Sequence, residues 1–195
     1  MVRRALDPVQ VVDAAARIAD REGIETVTLT RVAAELGVRQ PALYRHVDGY
    51  DDLVRRLGLR GREILGTALA EAAIGVSGEE AVRAVGRAWR AMVADHPGLY
   101  AATDRCPCVG DEELEAAVER IVAVIALSLA GFDLDDTARV HAARSLRSAL
   151  HGFAHLEAGD GHPSPENLDD SFDELLTLLI AGVRNLERVP LSRQP

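Results

Sequence analysis

The chain has 195 residues, 48% of them hydrophobic, which is room for one large domain or two small ones with a real core. No apolar run approaches the roughly 18–20 residues of a membrane span, and Asp7 and Pro8 follow Arg3 and Arg4 too soon for a secretory signal. The net charge of −9 is uneven: residues 1–60 hold ten arginines against nine carboxylates, the remainder twelve against 22. The acidity therefore belongs to the second part, and any basic surface in the first part must be local. Abundant Ala and Leu with few hairpin signals point to an all-α chain, and the expected location is cytoplasmic. Cys106 and Cys108 make no disulfide framework.

In chain order, Asp7-Pro8-Val9-Gln10 has the spacing of a capping box with proline at the first helical position. Val11, Ala15 and Ile18 form the apolar stripe of the helix behind it, and Gly23 ends it. Arg3 and Arg4 ahead of it read either as a solvated terminus or as a basic arm reaching DNA. The stretch Thr28–Val47 then predicts two short helices joined by a tight turn. The Thr28 hydroxyl can cap the first, with Val32, Ala33 and Leu36 on its buried side. Gly37 ends it, Val38 buries at the turn, Pro41 opens the second helix and Leu43 returns to the core. Arg39, Gln40, Ala42, Tyr44, Arg45 and His46 remain outside. One reading is a plain helical hairpin. The other is a helix-turn-helix, favoured because these outward donors, acceptors and one small apolar group can read base edges and phosphates.

A long helix is predicted from near Asp51 to Ala73 on Leu53, Leu57, Ile64, Leu65 and Leu69. Its arginines, Arg55, Arg56, Arg60 and Arg62, read as a solvated face. After a break at 75–78 comes a helix carrying Val82, Val85, Trp89, Met92 and Val93, stopped at Asp95-His96-Pro97-Gly98. An irregular stretch is expected from Leu99 to Cys108. The next helix, from about Asp111 to Ala130, is apolar nearly all round at 121–129 and is expected to be central. A further helix starts at Asp135 or Asp136 and carries Val140, Leu146, Leu150 and Phe153, and 159–167 reads as a loop. The last helix, from about Leu168 to Glu187, is apolar on more than one face. Either it is buried singly or it joins a four-helix homodimer interface, the arrangement that two DNA half-sites favour. The tail Pro190–Pro195 is expected to be disordered.

Thr28, Leu29, Thr30, Val32, Ala33, Gly37, Val38, Leu43, Tyr44, His46 and Val47 resemble the DNA-binding pattern of the TetR family of transcriptional repressors. Gln40 to Val47 is similar to its tetracycline-repressor branch. Where the family commonly has a phosphate-contacting lysine, this chain has Tyr50, followed by Asp51 and Asp52. Leu150-His151-Gly152-Phe153 with Leu156-Glu157 resembles the Trp-His-Gly signature of one TetR-type C-terminal domain, with leucine for tryptophan. The resemblance implies a DNA-binding domain at 1–50 with three helices, and a ligand-binding and dimerisation bundle at 51–195. It implies a homodimer on a pseudo-palindromic double-stranded operator, released by a small-molecule effector. Thr28, Thr30, Arg39, Gln40, Pro41, Ala42, Tyr44, Arg45, His46 and Tyr50 are the DNA-binding candidates.

For the effector, Trp89, Met92, Tyr100, Phe132, His151 and Phe153 are the candidate apolar walls and polar anchor of a pocket. His151 and His155 stand at i, i+4, but two ligands do not make a metal site, and no Glu-x-x-His occurs. Cys106 and Cys108 read as free thiols rather than a redox pair. No catalytic, metal or cofactor assignment is made. The alternatives are a bundle sensing a protein partner, and a small-molecule-binding bundle without DNA function.

Overall fold

The computed structural model of the chain describes residues 6–188. The Arg3–Arg4 arm and the tail from Pro190 to Pro195 lie outside the described residues. Within them the regular structure is helical without strands, and no helix is long and apolar enough to cross a membrane.

The helices are α1 (Pro8–Glu22), α2 (Leu29–Glu35), α3 (Tyr50–Ala72), α4 (Gly78–Asp95), α5 (Pro97–Asp104), α6 (Glu112–Ser128), α7 (Asp136–Ala158) and α8 (Leu168–Arg188), with 3₁₀ turns at Ile24–Thr26 and Gln40–Arg45. They gather into two compact units. One is the chain up to Ile64 together with Asp95–Ala117, and the other is Leu65–Ala94 together with the chain from Val118 onward.

In the first unit the capping box of α1 forms as expected: Gln10 N–H donates to Asp7 at 2.8 Å and Asp7 N–H to the Gln10 side chain at 3.2 Å. Gly23 ends α1 at φ 88°, a conformation glycine adopts without strain. Val11, Ala14, Ile18, Val32, Leu43 and Leu57 share one core. Leu99 and Ala102 belong to the same core, because the stretch expected to be irregular is the helix α5. Residues 95–98 stop α4. Pro97 also supplies the first position of a new helix, where its missing N–H is no loss. Gly98 lets α5 touch α1: a Cβ there would stand 1.9 Å from the Ala19 carbonyl oxygen.

The arginines of α3 are not all a solvated face, though Arg60 is exposed. Arg62 is only 8% exposed and donates to the carbonyls of Thr103 and Cys106, both at 2.8 Å. Arg55 pairs with Asp111 and Glu113, Arg56 with Asp52 and Arg60 with Asp13. Periodicity registers which α3 positions are polar, but their partners come from sequence-distant segments.

In the second unit α4 buries Val82, Val85, Trp89, Met92 and Val93. Gly86 admits α8 closely, since a Cβ there would stand 2.6 Å from the Leu176 side chain. The α6 helix is less central than its composition suggests. Ile121, Ile125 and Leu129 are buried, whereas Val122 is exposed and Leu127 is 69% exposed. A helix buries the stripe that meets neighbours, whatever its other faces carry. Asp135 caps α7, accepting from Ala138 N–H at 2.7 Å. Phe172, Leu176, Ile180 and Val183 are the buried stripe of α8, while Leu178 is 68% exposed.

Candidate nucleic-acid interface and ligand-binding residues

The DNA-binding candidates lie on α2, the 3₁₀ turn Gln40–Arg45 and the start of α3. Thr28 caps α2, its hydroxyl accepting from Arg31 N–H at 3.2 Å. Arg31 is itself ion-paired to Glu22 at the end of α1, and that hydrogen bond, with a second from Arg21, holds the Glu22 carboxyl below its ordinary range. Gly37, at φ 64°, reverses the chain after α2. Val38 is half-buried against the core, and its N–H donates to the Ala33 carbonyl at 2.9 Å. Leu43 is fully buried, so the turn is anchored from below by one side chain.

The opposite side of that turn faces solvent. Tyr44 is 53% exposed, Arg39, Pro41 and Arg45 are exposed, and Gln40, Ala42 and His46 are half-buried. Two of these groups, Gln40 and Tyr44, form a chain with Thr30 of α2. The Thr30 hydroxyl donates to Gln40 Oε1 at 2.9 Å, and Gln40 Nε2 donates to the Tyr44 oxygen at 3.3 Å. The helix expected over this segment is instead the 3₁₀ form, tightened by Ala42 N–H on Arg39 O and His46 N–H on Leu43 O.

Tyr50 opens α3 and is exposed. Of the two carboxylates beside it, Asp52 is turned to internal use: it accepts from Asp48 N–H and from Arg56, both at 2.9 Å. Its charge is thereby countered, while Asp51 remains exposed. A sequence shows the i, i+4 spacing of Asp52 and Arg56, but not which carboxylate Arg56 takes.

Of the effector candidates, Tyr100 is buried on α5 in the first unit. Trp89, Met92 and Phe132 are buried in the second unit, where His151 and Phe153 are half-buried on α7. His151 and His155 stack with ring centroids 5.7 Å apart. Phe153 meets Phe172 and His162 at 5.0 and 4.9 Å, and the Arg90 guanidinium lies over both phenyl rings at 5.7 and 5.1 Å. Arg90 also grips Glu157 at 2.6 and 2.7 Å and Asp169 at 2.7 Å. These bonds, Glu157 foremost, raise its pKa above the ordinary arginine value. Arg90 is not singled out from sequence, Phe172 is only one apolar position of the last helix, and Glu157 enters only through the Trp-His-Gly resemblance. Phe172 reads there as plain core, and Arg90 and Glu157 stand far apart in the chain. Cys106 is buried with its thiol on the Val54 carbonyl at 3.3 Å, and burial pushes that thiol up in pKa. Cys108 is a second free, half-buried thiol.

A family model described as bacterial regulatory proteins, tetR family, matches residues 11–57. A second, described as tetracyclin repressor-like, C-terminal domain, matches residues 82–179. An uncharacterised HTH-type transcriptional regulator of Mycobacterium tuberculosis, Rv0681, is 34% identical over 174 residues, covering 89% of this chain and 79% of that protein. The HTH-type transcriptional repressor DrrR1 of Streptomyces coeruleorubidus is 33% identical over 117 residues, 60% of this chain and 42% of that one. Among solved structures, the transcriptional regulator SCO7222, a TetR from Streptomyces coelicolor, aligns with a TM-score of 0.70 at 20% identity, covering 94% of this chain and all of that one (100%).

Proposed function

The chain belongs to the TetR family of transcriptional regulators, and from that premise we propose that it is a repressor that a small-molecule effector releases from its operator. The observation that carries the DNA-binding part is the exposed polar surface of the Gln40–Arg45 turn, with Gln40 held between Thr30 and Tyr44. A donor-and-acceptor side chain braced from both ends is already oriented toward a base edge, so less freedom is lost on binding.

In this reading Gln40 reads a base and Arg45 and Arg39 supply charge to the backbone. Tyr44, His46, Thr28, Thr30 and Tyr50 position the protein on phosphates, while Pro41 and Ala42 allow close approach. A homodimer presents two such turns to the half-sites of a pseudo-palindrome. The exposed Leu178 on α8 supports an interface there. Trp89, Met92, Phe132, His151 and Phe153 of the second unit remain effector-site candidates, and Tyr100 of the first unit is a separate candidate. An effector that prefers the state with the wrong half-site spacing empties the operator by population shift. The division at residues 1–50 and 51–195 is the functional one, and the setting is the cytoplasm. The repressor named DrrR1 supports the negative sign of regulation.

The test is fluorescence anisotropy of a labelled duplex from the DNA flanking the protein's own gene, against a scrambled duplex, at two salt concentrations. Sequence-selective binding that weakens with salt supports the reading. Equal affinity for both duplexes at either salt overturns the choice of operator, and no binding to any duplex overturns the DNA function.

A further inference from the structure

Most described arginines of this acidic chain have a partner: Arg55 has Asp111, Arg56 Asp52, Arg87 Asp173 and Arg90 Glu157. Arg144 and Arg147, one turn apart on α7, have no carboxylate partner among the described residues. Neither do Arg39 and Arg45 of the DNA-binding turn. A guanidinium left unpaired in such surroundings is available to an anion from outside.

Arg144 and Arg147 border a groove of about 350 Å³ between α6 and α7. Its floor is Val122, Ile125, Ala126, Val140 and Ala143, and no carboxylate lines it. A third guanidinium, Arg139, stands on its wall and is held in place by donating to the carbonyls of Leu129 at 3.3 Å and Leu134 at 3.1 Å. Val122 and Val140 are left 39% and 48% exposed. An apolar floor under three cations of one sign, in the acidic part of the chain, is complementary to a molecule with an apolar body and an anionic head. The volume is that of a small-molecule site.

We propose that this groove binds a small organic anion, an aromatic or aliphatic carboxylate or sulfonate, with its head on Arg144 and Arg147 and its body on the valine and alanine floor. The proposal deepens the effector-responsive reading and rests on it for the consequence at the operator, but not for binding itself. None of the effector candidates named from sequence lines the groove. Periodicity places Arg139, Arg144 and Arg147 on one face of α7 but does not show the α6 residues they face, so the groove itself is not legible in the sequence.

The test uses two probes with the same aromatic body on the full chain: 1-anilinonaphthalene-8-sulfonate, and N-phenyl-1-naphthylamine, which lacks the sulfonate. Saturable binding of one sulfonate probe per chain is expected, read by fluorescence. The pair Arg144→Gln with Arg147→Gln should weaken the sulfonate probe by about tenfold or more, and the neutral probe by less than about twofold. Ala126→Leu, which fills the floor, should weaken both probes. Arg120→Gln, on the opposite face of α6 by helical spacing, should change neither. Thermal melts check that each variant folds. The proposal is overturned if the arginine variant binds both probes as wild type does, or if the neutral probe binds as tightly as the sulfonate. It is also overturned if light scattering shows the arginine variant losing self-association while probe binding is unchanged, since a second copy of the chain would then be the groove's occupant. No DNA enters the measurement, so its failure leaves the DNA-binding reading standing, and failure on DNA leaves this one standing.

Discussion

The Thr30 hydroxyl on α2 donates to the side-chain oxygen of Gln40 at 2.9 Å, across the turn that joins the two halves of the motif. Gln40 then donates onward to Tyr44. One side chain is thus oriented by two residues whose own surroundings are set by α2 and by the 3₁₀ turn.

This relationship predicts a division of labour. Gln40→Ala should erode discrimination between operator and scrambled DNA by roughly 1–3 kcal/mol, the worth of one good base contact. Thr30→Val, which removes the brace and not the reader, should lose part of the same discrimination. Tyr44→Ala should weaken both duplexes alike. Anisotropy titrations of the three variants on the two duplexes decide it, and equal losses on both duplexes for all three would sink the assignment.

The exposed Arg45 carries no ion pair among the described residues, so its charge is available to a phosphate. Arg45→Gln should flatten the plot of log affinity against log salt by about one unit of slope while leaving the operator preference intact. An unchanged slope would remove Arg45 from the phosphate contacts.

At Gly98 a Cβ would stand 1.9 Å from the Ala19 carbonyl oxygen and 2.0 Å from its carbon. Backbone atoms cannot rotate aside as a flexible side chain would. Gly98→Ala should cost about 1–3 kcal/mol or more, lowering Tm by roughly 2–4 °C for each kcal/mol. Gly152, inside α7, has nothing within 4 Å of its Cβ position, so Gly152→Ala should raise stability by roughly 0.5–1 kcal/mol through helix propensity. Calorimetry of the two variants checks the contrast, and the same sign for both would refute it.

Asp111 caps α6, accepting from Leu114 N–H at 3.2 Å, and its other partner is Arg55, with Nη2 at 2.8 Å from Oδ1. The Arg55 hydrogen bonds, more than the cap, hold the Asp111 carboxyl below its ordinary 3.8. A carboxyl depressed in the folded state stabilises the protein fully above its ordinary value, and that contribution is lost as pH falls through the lower folded value. Asp111→Asn keeps a capping oxygen and removes the charge. Its urea midpoint should lie below wild type at pH 7, with the gap closing below about pH 4. A gap that stays constant down to acid pH would show that the ion pair is not its cause.

Much of this architecture is written locally. The Asp7–Gln10 capping box, the Thr28 cap and the reversal at Gly37 depend on neighbours within a few residues, so spacing alone predicts them, while the start of α7 is narrowed only to Asp135 or Asp136. A period of 3.6 puts Phe172, Leu176, Ile180 and Val183 on one face of α8, but not which of its apolar faces is buried. The Gln40–Arg45 turn was legible as a set of outward polar side chains, but the Thr30–Gln40–Tyr44 chain was not, because hydrogen-bond direction depends on how two segments cross. Tertiary contact decided that the helix Pro97–Asp104 packs into the core of α1, that Arg62 is buried rather than solvated and that α6 leaves Leu127 in water. It also set the apolar residues Val122, Ile125 and Ala126 of α6 beside the three arginines of α7. Caps and stripes answer to short-range geometry repeated along the chain. Partners for charges and the depth of a helix answer to residues far away in sequence, which no local pattern encodes.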